Sequence, residues 1–284
     1  MLVNKKSKIL LVGAVVYDVV ENETFFGGTS ANISYGLSLL KEKPILASIA
    51  GKDFTVYAKH LKTRKIENRV AIIKNGKTAA FRGATNPHGL FTGNFSGESY
   101  HANLDAYPIS KLLKKGDWKN IGIGVFSPGI GKSILRDMKE FRKHGNKEAL
   151  VIFDPGQSLA TTFSVKMFTE AIRYADILVL NEPEAAFLKK KLGFTDKKLW
   201  AAGLKYFIIT KAEKGSELRM QGAVVFIPAK KAKKVIDPIG AGDAYRAGLI
   251  HGLLSGKLIT EAMNLGSKLG ALCVAKKGGQ TYKI

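Results

Sequence analysis

The stretch with the clearest chemical potential is "DPIGAGDAYRAGL", Asp237 to Leu249. Two acids, Asp237 and Asp243, flank a turn that is almost bare backbone, and an apolar periodic run follows. A glycine-rich turn entering a helix exposes unpaired N–H groups, and the helix dipole adds partial positive charge there. Gly240, Ala241 and Gly242 carry no bulk, so an anion could approach the backbone closely. A carboxylate at Asp243 would repel a bound phosphate if binding were its only task. Its placement makes sense if it takes the proton from a hydroxyl that attacks that phosphate. The competing reading is that Asp243 only caps the helix, and spacing alone leaves both open.

Other nucleotide motifs fail on inspection. "SPGIGKS", Ser127 to Ser133, ends like a P-loop, but Phe126 stands where its first glycine is required. "GAGDAY" from Gly240 begins like a dinucleotide fingerprint, but Tyr245 replaces the third glycine and the stretch lies late in the chain. The five histidines have no metal-ligand spacing, and no serine sits in a G-x-S-x-G elbow.

Elements able to position such a turn are legible along the chain. "KILLVGAVV", "NIGIGVF", "ALVIFD", "DILVLN" and "KYFIIT" read as strands. "SANISYGLSLLKE" reads as a helix with apolar spacing at Ile33, Leu37 and Leu40, and further helices begin near Ile130, Phe163 and Pro183. The alternation predicts an α/β fold, a mostly parallel sheet with helices on both faces. From Arg69 to about Asn103 the rhythm breaks into short alternating runs. Turn residues Asn75-Gly76 and Pro87-His88-Gly89 punctuate them, and Asn-Gly there is a hairpin signal. This excursion reads either as a small lid or as a decorated sheet edge. No repeat or linker divides the 284 residues, so a single domain is expected.

Composition sets bounds. A hydrophobic fraction of 45% suits a real core, and no apolar run reaches the length of a membrane span. The lysines before "ILLVGAVVYD" resemble a leader, but no small-residue cleavage site follows; a first core strand is the expectation. The single cysteine, Cys273, fits a reducing cytoplasm. The net charge of +22 is almost all scattered lysine, with one dense run at Ala229 to Lys234 and no aromatic interleaving. A solvated basic surface is therefore expected and no nucleic-acid partner, with a field that would draw in a polyanionic small substrate.

The opening stretch resembles the C-terminal signature of the PfkB (ribokinase-like) family of carbohydrate and nucleoside kinases. It meets every constrained position of D-[TP]-x-G-A-G-D-x-x-x-A-G. "GGTSANISYGLSLL" is similar to the N-terminal signature, and "NEPE", Asn181 to Glu184, to an N-x-x-E element. "TKAEKG" matches T-x-G-x-x-G at Thr210 and Gly215, with Ala212 replacing the middle glycine. These matches follow family order over residues 18 to 280. The resemblance implies a ribokinase-like three-layer αβα domain over 1–284, with lid segments near 15–26 and 69–104. It implies ATP as phosphoryl donor and Mg²⁺, admits a monovalent cation and a homodimer through the lid, and calls for no membrane. Asp243 then matches the catalytic base, and Gly240, Ala241 and Gly242 the anion hole. Asp18, Gly27, Gly28 and Asn32 match the acceptor-side contacts, and Asn181 and Glu184 the pair that organises Mg²⁺ and triphosphate through water. Thr210, Gly215 and Ser267 match nucleotide contacts.

Departures within the family bear on the acceptor. Thr29 stands where ribokinases place lysine, and Ser267 where they place an adenine-contacting asparagine. "FDPGQS", "GDAYRAG" and the tail "KKGGQTY" look like the bacterial adenosine-kinase-like branch. Phe81, Phe91, Phe95 and Tyr100 supply either a stacking face for a purine or lid core. The expected activity is phosphorylation of a nucleoside 5′-hydroxyl, adenosine being the example. The alternatives are a free-sugar kinase acting on ribose or fructose, and a non-catalytic sugar- or nucleotide-binding regulator on the same fold.

Overall fold

The computed structural model describes residues 5–85 and 91–284. The chain opens with β1 (Lys8–Val12), β2 (Val16–Val20) and β3 (Glu23–Gly27), then α1 (Thr29–Leu39). Next come β4 (Ile45–Gly51), α2 (Thr55–Thr63), β5 (Glu67–Ile73), β6 (Ala79–Thr85) and β7 (Phe91–Ser96). Short helices α3 (Glu98–Asn103) and α4 (Ile109–Leu112) lead to β8 (Ile121–Phe126) and α5 (Gly131–His144). Then follow β9 (Leu150–Phe153), α6 (Ser158–Thr162), α7 (Val165–Ile172), β10 (Ile177–Asn181), α8 (Glu182–Lys190) and α9 (Asp196–Ala201). The chain finishes through β11 (Tyr206–Thr210), β12 (Ser216–Met220), β13 (Ala223–Ile227), α10 (Ala241–Leu254) and α11 (Ile259–Cys273).

A nine-stranded sheet runs in the order β13-β12-β11-β10-β9-β8-β1-β4-β5. It is parallel from β5 to β11 and antiparallel at β12 and β13. Its central strands β4, β8, β9 and β10 are near-continuously apolar and buried because both faces are covered, whereas β5 and β12 carry charged residues and β13 is largely exposed. Successive residues point to opposite faces. Ile177 and Val179 thus join the core beneath α1, α2, α10 and α11, while Leu178 and Leu180 join the one beneath α5, α7 and α9. The chain leaves β1 first toward β4 and later returns to its other side as β8. That reversal opens a crevice beyond the strands' C-terminal ends, where α/β folds place ligands.

The small sheet runs β3-β2-β6-β7. Its first hairpin turns at Glu21 and Asn22, both with positive φ (50° and 69°), as a turn matching strand twist requires. The hairpin expected at Asn75-Gly76 does not form. The chain turns there, but β5 pairs with β4 at the edge of the large sheet, whereas β6 lies parallel to β2 in the small one. After β3, the small sheet therefore resumes at Ala79, while residues 67–73 belong to the large one. The Pro87-His88-Gly89 turn and the Phe91 side chain lie outside the described residues. Tyr100 is 3% exposed and packs with Val16, Ile49, Ile73 and Ala79, so it is lid core rather than a free stacking face. Among the described residues no helix is long and apolar enough to cross a membrane.

Candidate active site

Gly240 precedes the first turn of α10 with φ +78°, and a Cβ there would lie 2.6 Å from Gly279 Cα. The two flanking acids have different roles. Asp237 is buried, and its oxygens accept from Ile239 N (2.9 Å) and Gly278 N (2.7 Å), which fixes the loop and ties it to the C-terminal tail. Asp243 makes no cap. Its Oδ2 accepts from Asn32 Nδ2 at 2.8 Å, across 211 residues of sequence. Burial pushes its carboxyl up to about 6, against the opposing pull of Arg246 and the Asn32 hydrogen bond. A carboxylate so poised is ionised at pH 7 and remains a competent base.

Asn32 is itself held in place. Gln280 Nε2 donates to Asn32 Oδ1 (2.9 Å) and to the Tyr57 hydroxyl (2.7 Å), which donates to Gly27 O (2.7 Å). His60 Nε2 lies 3.0 Å from Gln280 Oε1. That oxygen only accepts, so Nε2 carries the proton. The His60 ring stacks between Phe26 and Tyr35, and burial lowers its pKa. The lid strand β3, α1, α2 and the tail are thus joined in one network that ends on Asp243. Tyr57, His60 and Gln280 were not identified from sequence. Their partners lie up to 248 residues away, and only the resemblance of the "KKGGQTY" ending hinted at the last of them.

Asp18 projects from β2 over Gly27, where a Cβ would sit 1.9 Å from Asp18 Oδ2. Gly28 has φ +93°, and a Cβ there would meet Ala14 O at 2.5 Å. Both glycines therefore let carboxylate and backbone converge on one point. No described residue donates a hydrogen bond to the Asp18 carboxylate. Burial, then the negative charges of Asp243 and Asp237, push it up to about 7. A carboxyl whose folded pKa exceeds its unfolded value of about 3.9 destabilises the fold progressively as pH rises from about 4 to 7. Asp18→Asn, which cannot ionise, is therefore expected to stabilise the ligand-free protein at pH 8 by about 2–4 kcal/mol. Thermal melts at pH 5 and pH 8 check this. An unchanged or lower Tm at pH 8 would mean that the carboxylate has a compensating partner.

On the donor side, Asn181 ends β10 and Glu184 lies in the first turn of α8. They form a capping box: Glu184 N donates to Asn181 Oδ1 (2.8 Å), and Asn181 N to Glu184 Oε2 (2.9 Å). The N-x-x-E element is thus a helix start, which among the described residues leaves Glu184 Oε1 and Asn181 Nδ2 unbonded. Burial raises the Glu184 pKa, and the neighbouring Asp154 charge adds to it. Among the described residues no three acidic, histidine or cysteine side chains cluster as a metal cage. One carboxylate with substrate phosphates and water is the usual Mg²⁺ arrangement, and Glu184 fits it. Thr210 Oγ1 lies 3.4 Å from Leu180 O. Ala212 has φ +48°, so the loop keeps a left-handed turn despite lacking glycine, and Gly215 follows with φ +104°. Ser267 Oγ accepts from Lys230 N at 2.7 Å and holds the basic segment 229–234 against α11.

Two further buried groups lie beside Asp243. Arg246 Nη2 donates to Asp154 Oδ1 at 2.8 Å, and its Nε lies 2.5 Å from Oδ2. Beyond the strand ends, a narrow apolar cleft of about 30 Å³ is lined by Gly13, Ile49, Tyr100, Phe126, Ser127 and Ile134. The Ser127 hydroxyl and the nearby Ser30 hydroxyl are buried without a partner, and both crowd Gly13.

Comparison with known proteins identifies the family. The model of the pfkB family carbohydrate kinases matches residues 2–283. A nucleoside kinase of Methanocaldococcus jannaschii is 26% identical, over 98% of this chain and 93% of its own. The crystal structure of that organism's nucleoside kinase, an archaeal member of the ribokinase family, superposes with a TM-score of 0.86 over 99% of this chain and 95% of the other. A Burkholderia thailandensis nucleoside kinase in complex with inosine is 25% identical. It superposes with a TM-score of 0.84, over 97% of this chain and 93% of its own. With its signature elements assembled around one carboxylate, the chain belongs to the PfkB family of carbohydrate kinases.

Proposed function

We propose that this kinase transfers the γ-phosphoryl group of ATP to the 5′-hydroxyl of a nucleoside, with a purine nucleoside such as adenosine as the preferred acceptor. The observation that carries the reading is Asp243. It is not used as a cap, is held by Asn32, and sits at a helix N-terminus within reach of Asp18's electric field. Asp18, Asn32 and the Gly27-Gly28 backbone hold the ribose hydroxyls. Asp243 accepts the hydroxyl proton, and the N–H groups from Gly240 to Gly242 face the charge on the transferring group. Magnesium, when bound, neutralises phosphate charge, and Glu184 is the residue that orders its water shell. The lid closes over the acceptor and excludes water.

The cleft beside Gly13 favours a nucleoside over a free sugar. It is apolar, lies next to the turn that holds the ribose and widens to admit a base, and the unpartnered Ser127 hydroxyl in its lining offers that base a hydrogen bond. Burying a base there adds transition-state binding that ribose lacks. A stacked contact alone is worth ~0.5–1.5 kcal/mol beyond burial. A purine nucleoside is therefore expected to show at least about tenfold higher kcat/KM than ribose or fructose. A coupled assay over both substrate classes at fixed ATP and Mg²⁺ decides it. Preference for ribose or fructose would overturn the nucleoside reading in favour of a sugar kinase.

A further inference from the structure

We infer that Arg246 is an additional ligand for the transferring phosphoryl group and that Asp154 holds it in position. This rests on reading the start of α10 as the phosphoryl site. Helical side chains point back toward the N-terminus. Arg246, four residues after Gly242, therefore brings its guanidinium beneath the first turn. A Cβ on Gly242 would lie 2.8 Å from Arg246 Nη1, so the absence of a side chain at residue 242 leaves room for that nitrogen as well as for an anion. Asp154 accepts from Nη2 and sits in ion-pair contact with Nε, which makes no hydrogen bond of its own. Nη1 makes no hydrogen bond among the described residues and faces the turn that carries Asp243. Both partners are buried, Arg246 7% and Asp154 1% exposed, so the guanidinium has one bearing.

Charge bookkeeping around this cation supports a ligand role. Arg246 feels three carboxylates, those of Asp154, Asp243 and Glu184. Only Asp154 is paired with it, while Asp243 accepts from Asn32 and Glu184 from Asn181 N. A buried ion pair is a poor source of stability compared with apolar packing. Its location between the proposed base and the proposed metal-ordering carboxylate gives it another purpose. A planar guanidinium with one free edge suits the equatorial oxygens of a phosphoryl group. During transfer, the bond from phosphorus to the β–γ bridging oxygen breaks and its electron pair leaves with ADP. The acceptor oxygen bonds to phosphorus, and its proton passes to Asp243. Arg246 makes no covalent bond and only donates to the oxygens that carry the charge. Residue 246 is an unconstrained position of the family signature, so the motif itself gave no pointer to it. The segments "FDPGQS" and "GDAYRAG" are the two halves of this one pair.

The test compares wild type with Arg246→Lys, which keeps charge but loses the fork, and with Arg246→Met combined with Asp154→Asn, which leaves no unpaired buried charge. Two readouts are taken below each variant's Tm: kcat at saturating ATP and nucleoside, and calorimetric affinity for Mg-ADP with and without aluminium fluoride, a mimic of the transferring group. Both variants are expected to bind Mg-ADP within about threefold of wild type. They should lose at least about 10²-fold in kcat and a similar factor in the tightening that aluminium fluoride brings. If either folded variant keeps both the tightening and kcat, Arg246 is a structural residue and the inference fails. A variant that only melts earlier has the same meaning. The fluoride readout needs no acceptor. Should wild type phosphorylate no nucleoside yet lose the tightening in the variants, the substrate reading fails and the role of Arg246 stands.

Discussion

Asp243→Asn is expected to lower kcat by about 10²–10⁴-fold while leaving nucleotide affinity within a few-fold of wild type. The substitution is nearly isosteric, and the new side-chain oxygen can still accept from Asn32 Nδ2, so the network through Gln280 and Tyr57 stays in register. The N–H groups of the turn are backbone and remain where Asp237 fixes them. What disappears is the proton acceptor. The pH profile supplies a second signature. In wild type, kcat/KM should fall as pH drops through about 6 to 7, where Asp243 and Asp18 take up protons. In the variant the residual rate should lack the Asp243 contribution near 6. Steady-state kinetics from pH 5 to 9 with calorimetry of ADP binding check both. Wild-type turnover in the variant would reduce Asp243 to a structural acceptor for Asn32.

Gly27→Ala is expected to cut kcat/KM for the acceptor by about 10²-fold or more while the KM for ATP is unchanged. The new Cβ would lie 1.9 Å from Asp18 Oδ2, and the strand cannot move away to relieve it. Gly27 pairs with Val16 in the small sheet, and Tyr57 donates to its carbonyl. The Asp18 carboxylate must therefore rotate off the ribose. Hydrogen bonds to a charged group contribute about 1.5–3 kcal/mol each, so losing even one or two accounts for the expected factor. Gly27 has ordinary backbone angles, which separates this steric effect from the strain that a side chain on Gly28 would also impose. Unchanged acceptor kinetics would remove Asp18 from the site.

Much of the scaffold was legible because it depends on local periodicity. β10 and β11 read as strands since continuous apolar runs suit a doubly covered sheet, and α1 read as a helix from the spacing of Ile33 and Leu37. The Asn75-Gly76 signal misled because period-two runs flank it on both sides. Nothing local records that one run belongs to the large sheet and the next to the small one. At the candidate site, the residues in signature motifs were legible in the sequence, and those bonded to distant partners were not. Asp154 and Arg246 are 92 residues apart, and His60 and Gln280 are 220 apart. Each alone reads as an ordinary polar residue. The Asn181–Glu184 pair shows the opposite ambiguity, because the same spacing that suggested metal chemistry also writes a capping box.

In the proposed reaction, Asp243 directs the γ-phosphoryl group of ATP onto a nucleoside hydroxyl. Following ³¹P NMR of the wild-type protein with Mg-ATP and adenosine or inosine tests it directly. The γ-phosphorus signal is expected to be replaced by a nucleoside 5′-monophosphate resonance in step with ADP, and Asp243→Asn to show neither on the same timescale. Phosphorus recovered as free phosphate, or no transfer to either nucleoside while ribose or fructose is phosphorylated, would contradict it.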